Sequence, residues 1–179
     1  MDWFELGPFT VFDIETTGMS PTNDRIVELA AIRINKDGSK NEFHSLINPL
    51  RSIPFSATKV HHISNDMVAT APSFDKIACD FMEFCNGSTL VAHNARFDLS
   101  FLQESLYRAG CQTWAGKTLD SIKLVKSTHP GLSSYSLQSL RVVFNLQDSS
   151  DSVAHRAFSD VEWTVQVLAI ALNKALANQ

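Results

Sequence analysis

The residues best suited to chemistry are two acids, Asp13 and Glu15, at the end of an apolar stretch. They follow Phe9–Phe12, whose β-branched and aromatic residues predict a buried strand. Side chains two residues apart leave the same face of a strand, so the two carboxylates are neighbours. Ionised neighbours in apolar surroundings repel each other and lose hydration, and a divalent cation is the simplest way to offset that cost. The alternative is a pair of solvated acids at a frayed strand end.

A later stretch, residues 93–98, brings polar side chains to a second strand end. His93 and Asn94 follow a short apolar run at 89–92, which predicts a buried strand because it is too short for a helix. Asn94 is suited to cap the next helix, and Asp98 would then lie in the first turn, where the helix dipole favours an anion. Asp98 is therefore either a ligand or only a helix-start charge. We expect His93 to be structural.

The third stretch, residues 155–160, begins with His155 and ends with Asp160. On one continuous helix, five residues turn two side chains apart by about 140°, so these two could not meet. They converge only if the helix begins just after His155, which then projects from an approach loop. The polar residues 147–152 favour that boundary. The alternative is a surface histidine and an acid on an exposed helix face.

Hydrophobic patterning predicts an α/β fold. Three strands with short connections form an antiparallel meander, and helices then alternate with two further strands. This order implies a five-stranded mixed sheet, with three antiparallel strands and then two parallel ones, flanked by helices. The predicted strands begin at Phe9 and then cover residues 26–34, 43–47, 89–92 and 117–119; the predicted helices cover 56–62, 74–86, 95–109, 121–126, 136–144 and 156–177.

Composition indicates one ordinary domain that spans residues 1–179, since 44% hydrophobic residues suffice for a core. The net charge of -4 gives no broad basic surface for nucleic acid, although acids gathered at a metal site would lower that count locally. The three cysteines are odd in number and lack metal-type spacing, which favours reduced thiols packed in a cytoplasmic protein. Neither a signal peptide nor a membrane span is expected.

Taken together, the three stretches form a specific pattern. Asp-x-Glu-Thr-Thr-Gly, His-Asn-Ala-x-Phe-Asp and His-x-Ala-x-x-Asp occur in this order at residues 13–18, 93–98 and 155–160. The pattern resembles the DnaQ-like 3′–5′ exonucleases of the DEDDh branch, and within them the proofreading (epsilon) subunits of bacterial DNA polymerase III. The resemblance spans nearly the whole chain. It implies a ribonuclease-H-like fold that hydrolyses a nucleic-acid 3′ end to nucleoside 5′-monophosphates.

The resemblance also implies roles for individual residues. Two divalent metals, Mg²⁺ or Mn²⁺, would be held by carboxylate oxygens, which suit hard cations better than zinc. His155 would act as general base, and the backbone near Thr16 would meet the terminal 3′-hydroxyl. The implied metal ligands are Asp13, Glu15, Asp98 and Asp160; the implied substrate contacts are Thr16, Thr17, Gly18, Met19, Val60, His61, Asn94 and Phe97.

Three interpretations remain open from the sequence. The favoured one is an exonuclease that acts on single-stranded or frayed DNA 3′ ends in proofreading or repair. The second is an RNA-trimming or oligonucleotide-degrading enzyme that uses the same site, because no residue is recognisable as a reader of the 2′-hydroxyl. The third is a polymerase-associated interaction module without activity. The intact set of acids counts against the third, since clustered charges are costly without a function.

Overall fold

The computed structural model describes residues 1–148 and 156–178. Its five strands form one mixed sheet in the order β3-β2-β1-β4-β5. The first three, β1 (Phe9–Thr16), β2 (Ile26–Ile34) and β3 (Lys40–Leu46), pair antiparallel. The last two, β4 (Thr89–Ala92) and β5 (Thr118–Asp120), run parallel to β1. The predicted sheet is therefore confirmed, with β3 beginning three residues earlier than expected.

Helices cover both faces of this sheet. They are α1 (Phe55–His61), α2 (Asn65–Val68), α3 (Phe74–Cys85), α4 (Ala95–Arg108), α5 (Ser121–Thr128), α6 (Leu137–Val143) and α7 (Arg156–Ala177), preceded by a 3-10 turn at Trp3–Leu6. Helix α2 was not predicted, because four residues are too few to show helical periodicity. In the part of the chain that the structure describes, no helix is long and apolar enough to cross a membrane.

Strand β1 sits in the middle of the sheet and divides the core into two layers. Phe12 and Ile14 pack into the cluster beneath α3 and α4, whereas Phe9 and Val11 pack into the cluster beneath α7. Because side chains alternate along a strand, Asp13 continues the face that carries Phe9 and Val11. The face of β1 that supports α7 thus changes from apolar to acidic near the end of the strand.

The acidic end of β1 lies at the edge where the parallel strand β4 also ends. Helix α4 begins three residues after β4, so its first turn meets this edge. The pairing of β1 with β2 slips between Glu15 and Thr16, which pair with Glu28 and Ile26. Such a bulge bends the strand locally and changes the direction of its side chains. Strand ends, a helix start and a bulge therefore meet at one place.

Candidate active site

Three carboxylates converge at this edge of the sheet. Asp13 and Glu15 extend from β1, and Asp160 extends from the second turn of α7. One oxygen from each lies within 4.8 Å of the others, an arrangement that could hold a metal ion. The sequence predicted this convergence only on condition that the last helix begins after His155. In the described residues α7 covers Arg156–Ala177, and His155 lies outside them, so its position before the helix stays a prediction.

Asp98 reaches the same strand from the other side of the sheet. It lies in the first turn of α4 and is 4% exposed. Its Oδ1 accepts a hydrogen bond from the backbone N–H of Ile14 at 3.3 Å. It is not one of the three carboxylates that meet within 4.8 Å. The structure thus brings together three of the four predicted ligands and holds the fourth against the strand segment that carries two of them.

Burial, together with the charges of neighbouring acids, raises the pKa of every member of this group. Burial is the largest cause for the raised pKa of Asp13, followed by the charges of Asp98, Asp160 and Glu15. Burial raises the pKa of Glu15 to about 7, although Arg156 opposes the change. Burial likewise raises the pKa of Asp98 to about 8 and that of Asp160 to about 6. The folded chain by itself does not neutralise this group of carboxylates.

This donor set fits a divalent cation. All of the converging ligand atoms are carboxylate oxygens, which hard cations such as Mg²⁺ and Mn²⁺ prefer. Arg156 is the basic residue nearest the cluster in the described chain, but its Nε lies 3.6 Å from Glu15 Oε1 and its side chain is 43% exposed. The described residues therefore supply little of the positive charge that the acids need, and a bound cation would supply it.

The loop after β1 is fixed by Asp24. Its Oδ1 accepts from the Thr17 hydroxyl at 3.2 Å, and its Oδ2 accepts from the backbone N–H of Ser20 at 2.9 Å. A Cβ at Gly18 would lie 2.4 Å from this carboxylate, so glycine is required there by close approach. Gly18 does not have a positive φ, so backbone conformation does not require a glycine there.

His61 also holds the start of this loop, through a hydrogen bond to the backbone of Thr16. The backbone N–H of Ile63 donates to His61 Nδ1 at 3.1 Å, so Nε2 carries the proton and donates to the carbonyl of Thr16 at 3.2 Å. Burial lowers the pKa of His61, in agreement with a neutral ring. His61 is only 5% exposed. Both of its ring nitrogens therefore contact the protein backbone, and its predicted contact with substrate stays a prediction.

The start of α4 is held by Asp120 and not by the predicted cap. Asn94 adopts a left-handed conformation and its side chain makes no capping hydrogen bond. Asp120 Oδ2 accepts from Ala95 N instead, and its Oδ1 accepts from Ile122 N at the start of α5. His93 bonds Ser121 Oγ and the carbonyl of Tyr135, both at 2.8 Å, so its predicted structural role is confirmed.

The remaining predicted contacts differ in exposure. Met19 is 79% exposed and Val60 is 55% exposed, so both side chains are available to a ligand. Phe97 is half-buried and packs against Phe101, with ring centroids 5.0 Å apart. Arg156 also donates to the carbonyl of Val60 and thereby links α7 to the end of α1.

A cavity of about 610 Å³ lies away from these carboxylates. Arg25, Arg51 and Arg108 line it, and each also donates to backbone carbonyls of the loop at residues 21–24. This cavity contains none of the predicted site residues. The acidic edge of the sheet is the better candidate site because the convergent carboxylates, and not an enclosed volume, carry the chemistry.

Sequence reasoning missed Glu28, a buried acid in β2 that is 0% exposed. It pairs with Glu15 across the two strands, and its charge contributes to the raised pKa of Asp13, Glu15 and Asp160. The signal was available, because Glu28 interrupts an apolar strand just as Asp13 does. The sequence did not show that the two interruptions lie side by side.

Comparison with known proteins places this geometry in a known family. A family model described as Exonuclease (RNase T) matches residues 10–168. The epsilon subunit of DNA polymerase III from Treponema pallidum is 40% identical over 154 residues, which are 85% of this chain and 70% of that protein. The 3′-5′ exonuclease DinG from Bacillus subtilis is 35% identical over 167 residues, which are 93% of this chain and 18% of that protein.

Solved structures agree with this assignment. Exonuclease X in complex with 5′ overhanging duplex DNA has a TM-score of 0.71 and 29% identity, and the match covers 93% of this chain and 92% of that one. Escherichia coli Exonuclease I in complex with a dT13 oligonucleotide has a TM-score of 0.82 at 18% identity, and the match covers 95% of this chain and 42% of that one. The second similarity shows the fold alone. The predicted ribonuclease-H-like fold is confirmed.

Proposed function

Because this chain belongs to the DnaQ-like 3′–5′ exonuclease family, we propose that it removes nucleotides from the 3′ end of DNA as nucleoside 5′-monophosphates. Residues 1–179 would act as one exonuclease domain. The observation that carries the proposal is the approach, within 4.8 Å, of carboxylate oxygens from β1 and α7. Such a group is costly to bury and has no role in packing.

The proposed roles follow from the chemistry of each side chain. Asp13, Glu15, Asp98 and Asp160 would hold two Mg²⁺ or Mn²⁺ ions, which when bound supply positive charge where the phosphate and the departing oxygen become more negative. His155 would take a proton from the attacking water, because an imidazole with an ordinary pKa near 6.5 is partly neutral at physiological pH. The water oxygen then bonds to phosphorus as the bond to the 3′-oxygen of the preceding nucleotide breaks.

Substrate contacts are proposed on both sides of the acids. The backbone of Thr16, Thr17 and Gly18 would meet the terminal sugar, and His61 would keep the Thr16 carbonyl in place. Apolar contact with the last bases suits an enzyme that accepts any base, since every base has a face on which another group can stack. Met19, Val60 and Phe97 are proposed for that contact, and Asn94 for a polar contact next to Asp98.

The experiment that tests this function compares wild type with Asp13→Asn on a 5′-labelled single-stranded DNA. We expect wild type to shorten the labelled strand one nucleotide at a time with Mg²⁺ or Mn²⁺, and Asp13→Asn to leave the strand intact. Asp80→Asn is the matched control, because Asp80 is an exposed acid on α3, outside the proposed site. Full activity of Asp13→Asn, or equal activity with a chelator present, would refute the proposal.

A matched RNA oligomer distinguishes the alternative substrate. Faster shortening of RNA than of DNA would identify the enzyme as an exoribonuclease with the same site. The similarity to an epsilon subunit favours DNA and a proofreading partnership with a DNA polymerase. For that role we expect faster removal of a mismatched than of a paired 3′ nucleotide, because a frayed end is already unpaired.

A further inference from the structure

Glu28 is a fifth acid at the proposed site that the proposed reaction does not use. Its side chain is only 1% exposed, and it adds to the repulsion among carboxylates that already crowd the edge of the sheet. Burying a charge beside like charges costs free energy unless the charge has partners. Each of its two oxygens has a partner among the described residues.

One oxygen of Glu28 pairs with His44 on the neighbouring strand β3. The distance from Glu28 Oε1 to His44 Nε2 is 2.8 Å, and the His44 side chain is 27% exposed. His44 is not directly opposite Glu28, since it pairs with Ala30 in the ladder. The contact therefore runs diagonally across the two strands on the face toward α7.

The other oxygen of Glu28 faces the first turn of α7. Glu28 Oε2 accepts from the backbone N–H of Ala157 at 3.5 Å. The first N–H groups of a helix have no partner within the helix, and the helix dipole favours an anion beside them. Glu28 thus supplies from β2 the kind of oxygen that a capping residue usually supplies.

His44 also contacts the same turn of α7 directly. Its ring meets that of Phe158 edge to face, with centroids 6.2 Å apart and planes at 82°. The pair therefore holds two consecutive residues of α7, one through a hydrogen bond and one through a ring contact. Asp160 follows two residues later on the same helix, and His155 precedes that turn in the chain.

We propose that Glu28 and His44 are positioning residues that fix the first turn of α7 and through it the carboxylate of Asp160. This inference rests on the proposed nuclease function for its effect on rate. The contacts to Ala157 and Phe158 stand without it. A displacement of about 1 Å of a group at a reaction centre costs on the order of 100-fold in rate. A link at the start of α7 is therefore important for the reaction although neither residue touches the substrate.

Two variants test the contacts that Glu28 and His44 make with each other and with α7. Glu28→Gln keeps the size of the side chain but exchanges one accepting oxygen for an NH₂ group, so it cannot accept from both His44 and Ala157. His44→Phe keeps an aromatic ring against Phe158 and removes the hydrogen bond to Glu28. Glu42→Gln is the matched control, because Glu42 is an exposed acid on the same strand β3 that pairs with Ile32 and not with Glu28.

The rate measurement compares kcat and KM on the single-stranded DNA at saturating Mn²⁺. We expect kcat to fall about 10- to 100-fold in Glu28→Gln and KM to change less than about twofold, because the substrate surface is untouched. The decrease in kcat should be smaller in His44→Phe than in Glu28→Gln. Because both variants remove the same link, the double variant should be no slower than Glu28→Gln alone.

Two further measurements do not depend on activity. Hydrogen exchange followed by mass spectrometry should show faster exchange at residues 156–160 in Glu28→Gln, and unchanged exchange there in Glu42→Gln. Direct titration with Mn²⁺ should show weaker binding in Glu28→Gln than in wild type, because Asp160 is displaced. A residue that merely stabilised the fold would lower the melting temperature without this local change.

The outcomes distinguish this inference from the proposed function. If wild type does not cleave DNA, the proposed function fails, and hydrogen exchange with Mn²⁺ titration still test the positioning role. If wild type cleaves DNA but Glu28→Gln keeps its kcat, its Mn²⁺ binding and its exchange at 156–160, the positioning role is overturned. Should Glu28→Gln not fold, the same comparison is made with His44→Phe, which keeps the buried acid.

Discussion

In the absence of divalent cations, the protein should become less stable as the pH rises. Paired carboxylates usually have the opposite effect, since they stabilise a folded protein more as the pH rises. An acid whose pKa is raised on folding is protonated in the folded state at a pH where the unfolded chain is already ionised. At a pH above the folded pKa the free energy of unfolding is therefore lowered by the full amount. It recovers as the pH falls through the folded pKa. Two of the raised acids titrate in the range considered, namely Glu15, with a pKa of about 7, and Asp98, with a pKa of about 8.

The size of the effect follows from these two pKa values. Between about pH 8.5 and pH 6.5, integration of the linkage relation gives roughly 1 kcal/mol for Glu15 and roughly 2 kcal/mol for Asp98. Since burial also lowers the pKa of His61 and His93 below their ordinary 6.5, their uptake of protons in the unfolded chain would reverse the trend at lower pH. The comparison therefore stops at pH 6.5. For a chain of this length, roughly 3 kcal/mol corresponds to about 6–12 °C in melting temperature.

The assay is thermal unfolding, followed by circular dichroism, at these two pH values with a chelator and then with Mn²⁺. We expect the chelated protein to melt at a higher temperature at pH 6.5 than at pH 8.5, and Mn²⁺ to raise the melting temperature more at pH 8.5. Glu15→Gln should show a smaller pH dependence and a smaller response to Mn²⁺. A chelated wild type that is as stable at pH 8.5 as at pH 6.5 would refute the assignment of uncompensated acids.

Two further predictions concern other residues. His155→Ala should lower kcat by roughly 10²–10⁴-fold while Mn²⁺ binding by calorimetry is retained, because a general base is lost but no metal ligand; an unchanged pH–rate profile would exclude His155 as the base. Asp120→Ala should lower the free energy of unfolding by about 2 kcal/mol in urea titrations, since it leaves the starts of both α4 and α5 without a cap, at about 1 kcal/mol each; a loss no larger than that of Asp80→Ala would contradict this double role.

Local patterns predicted the elements better than they predicted the contacts between them. The bounds of β2 and β4 and the C-terminal end of α7 follow directly from apolar runs and from periodicity, and the structure has them where the sequence put them. Asn94 illustrates the limit. Its type and place predict a helix cap, yet the cap comes from Asp120, which is 26 positions later in the chain. Only the pairing of β4 with β5 brings that carboxylate to the start of α4.

In the candidate site, too, local patterns were easier to predict than contacts between elements. Asp13 and Glu15 were recognisable because they interrupt an apolar strand, whereas Asp160 was recognised through the motif that resembles the exonuclease family. The structure brings the three together. The interruption at Glu28 was equally visible, but its meaning depends on the register between β1 and β2, which sets it opposite Glu15. The thiols show a smaller error: Cys85 is buried as expected, whereas Cys79 is exposed on the outer face of α3.

The apolar face of α7 holds this helix on the sheet next to a group of acids that repel one another. Val161, Val165 and Leu168 are buried against the same face of β1 that carries Asp13. Each contributes roughly 1.5–3 kcal/mol by burial, so the three together exceed the roughly 3 kcal/mol that Glu15 and Asp98 account for between the two pH values. Because the apolar contacts follow Asp160 along α7, the helix remains packed on the sheet when the acids repel one another. Repulsion therefore acts mainly on the first two turns of α7, and Glu28 and His44 hold the first of them.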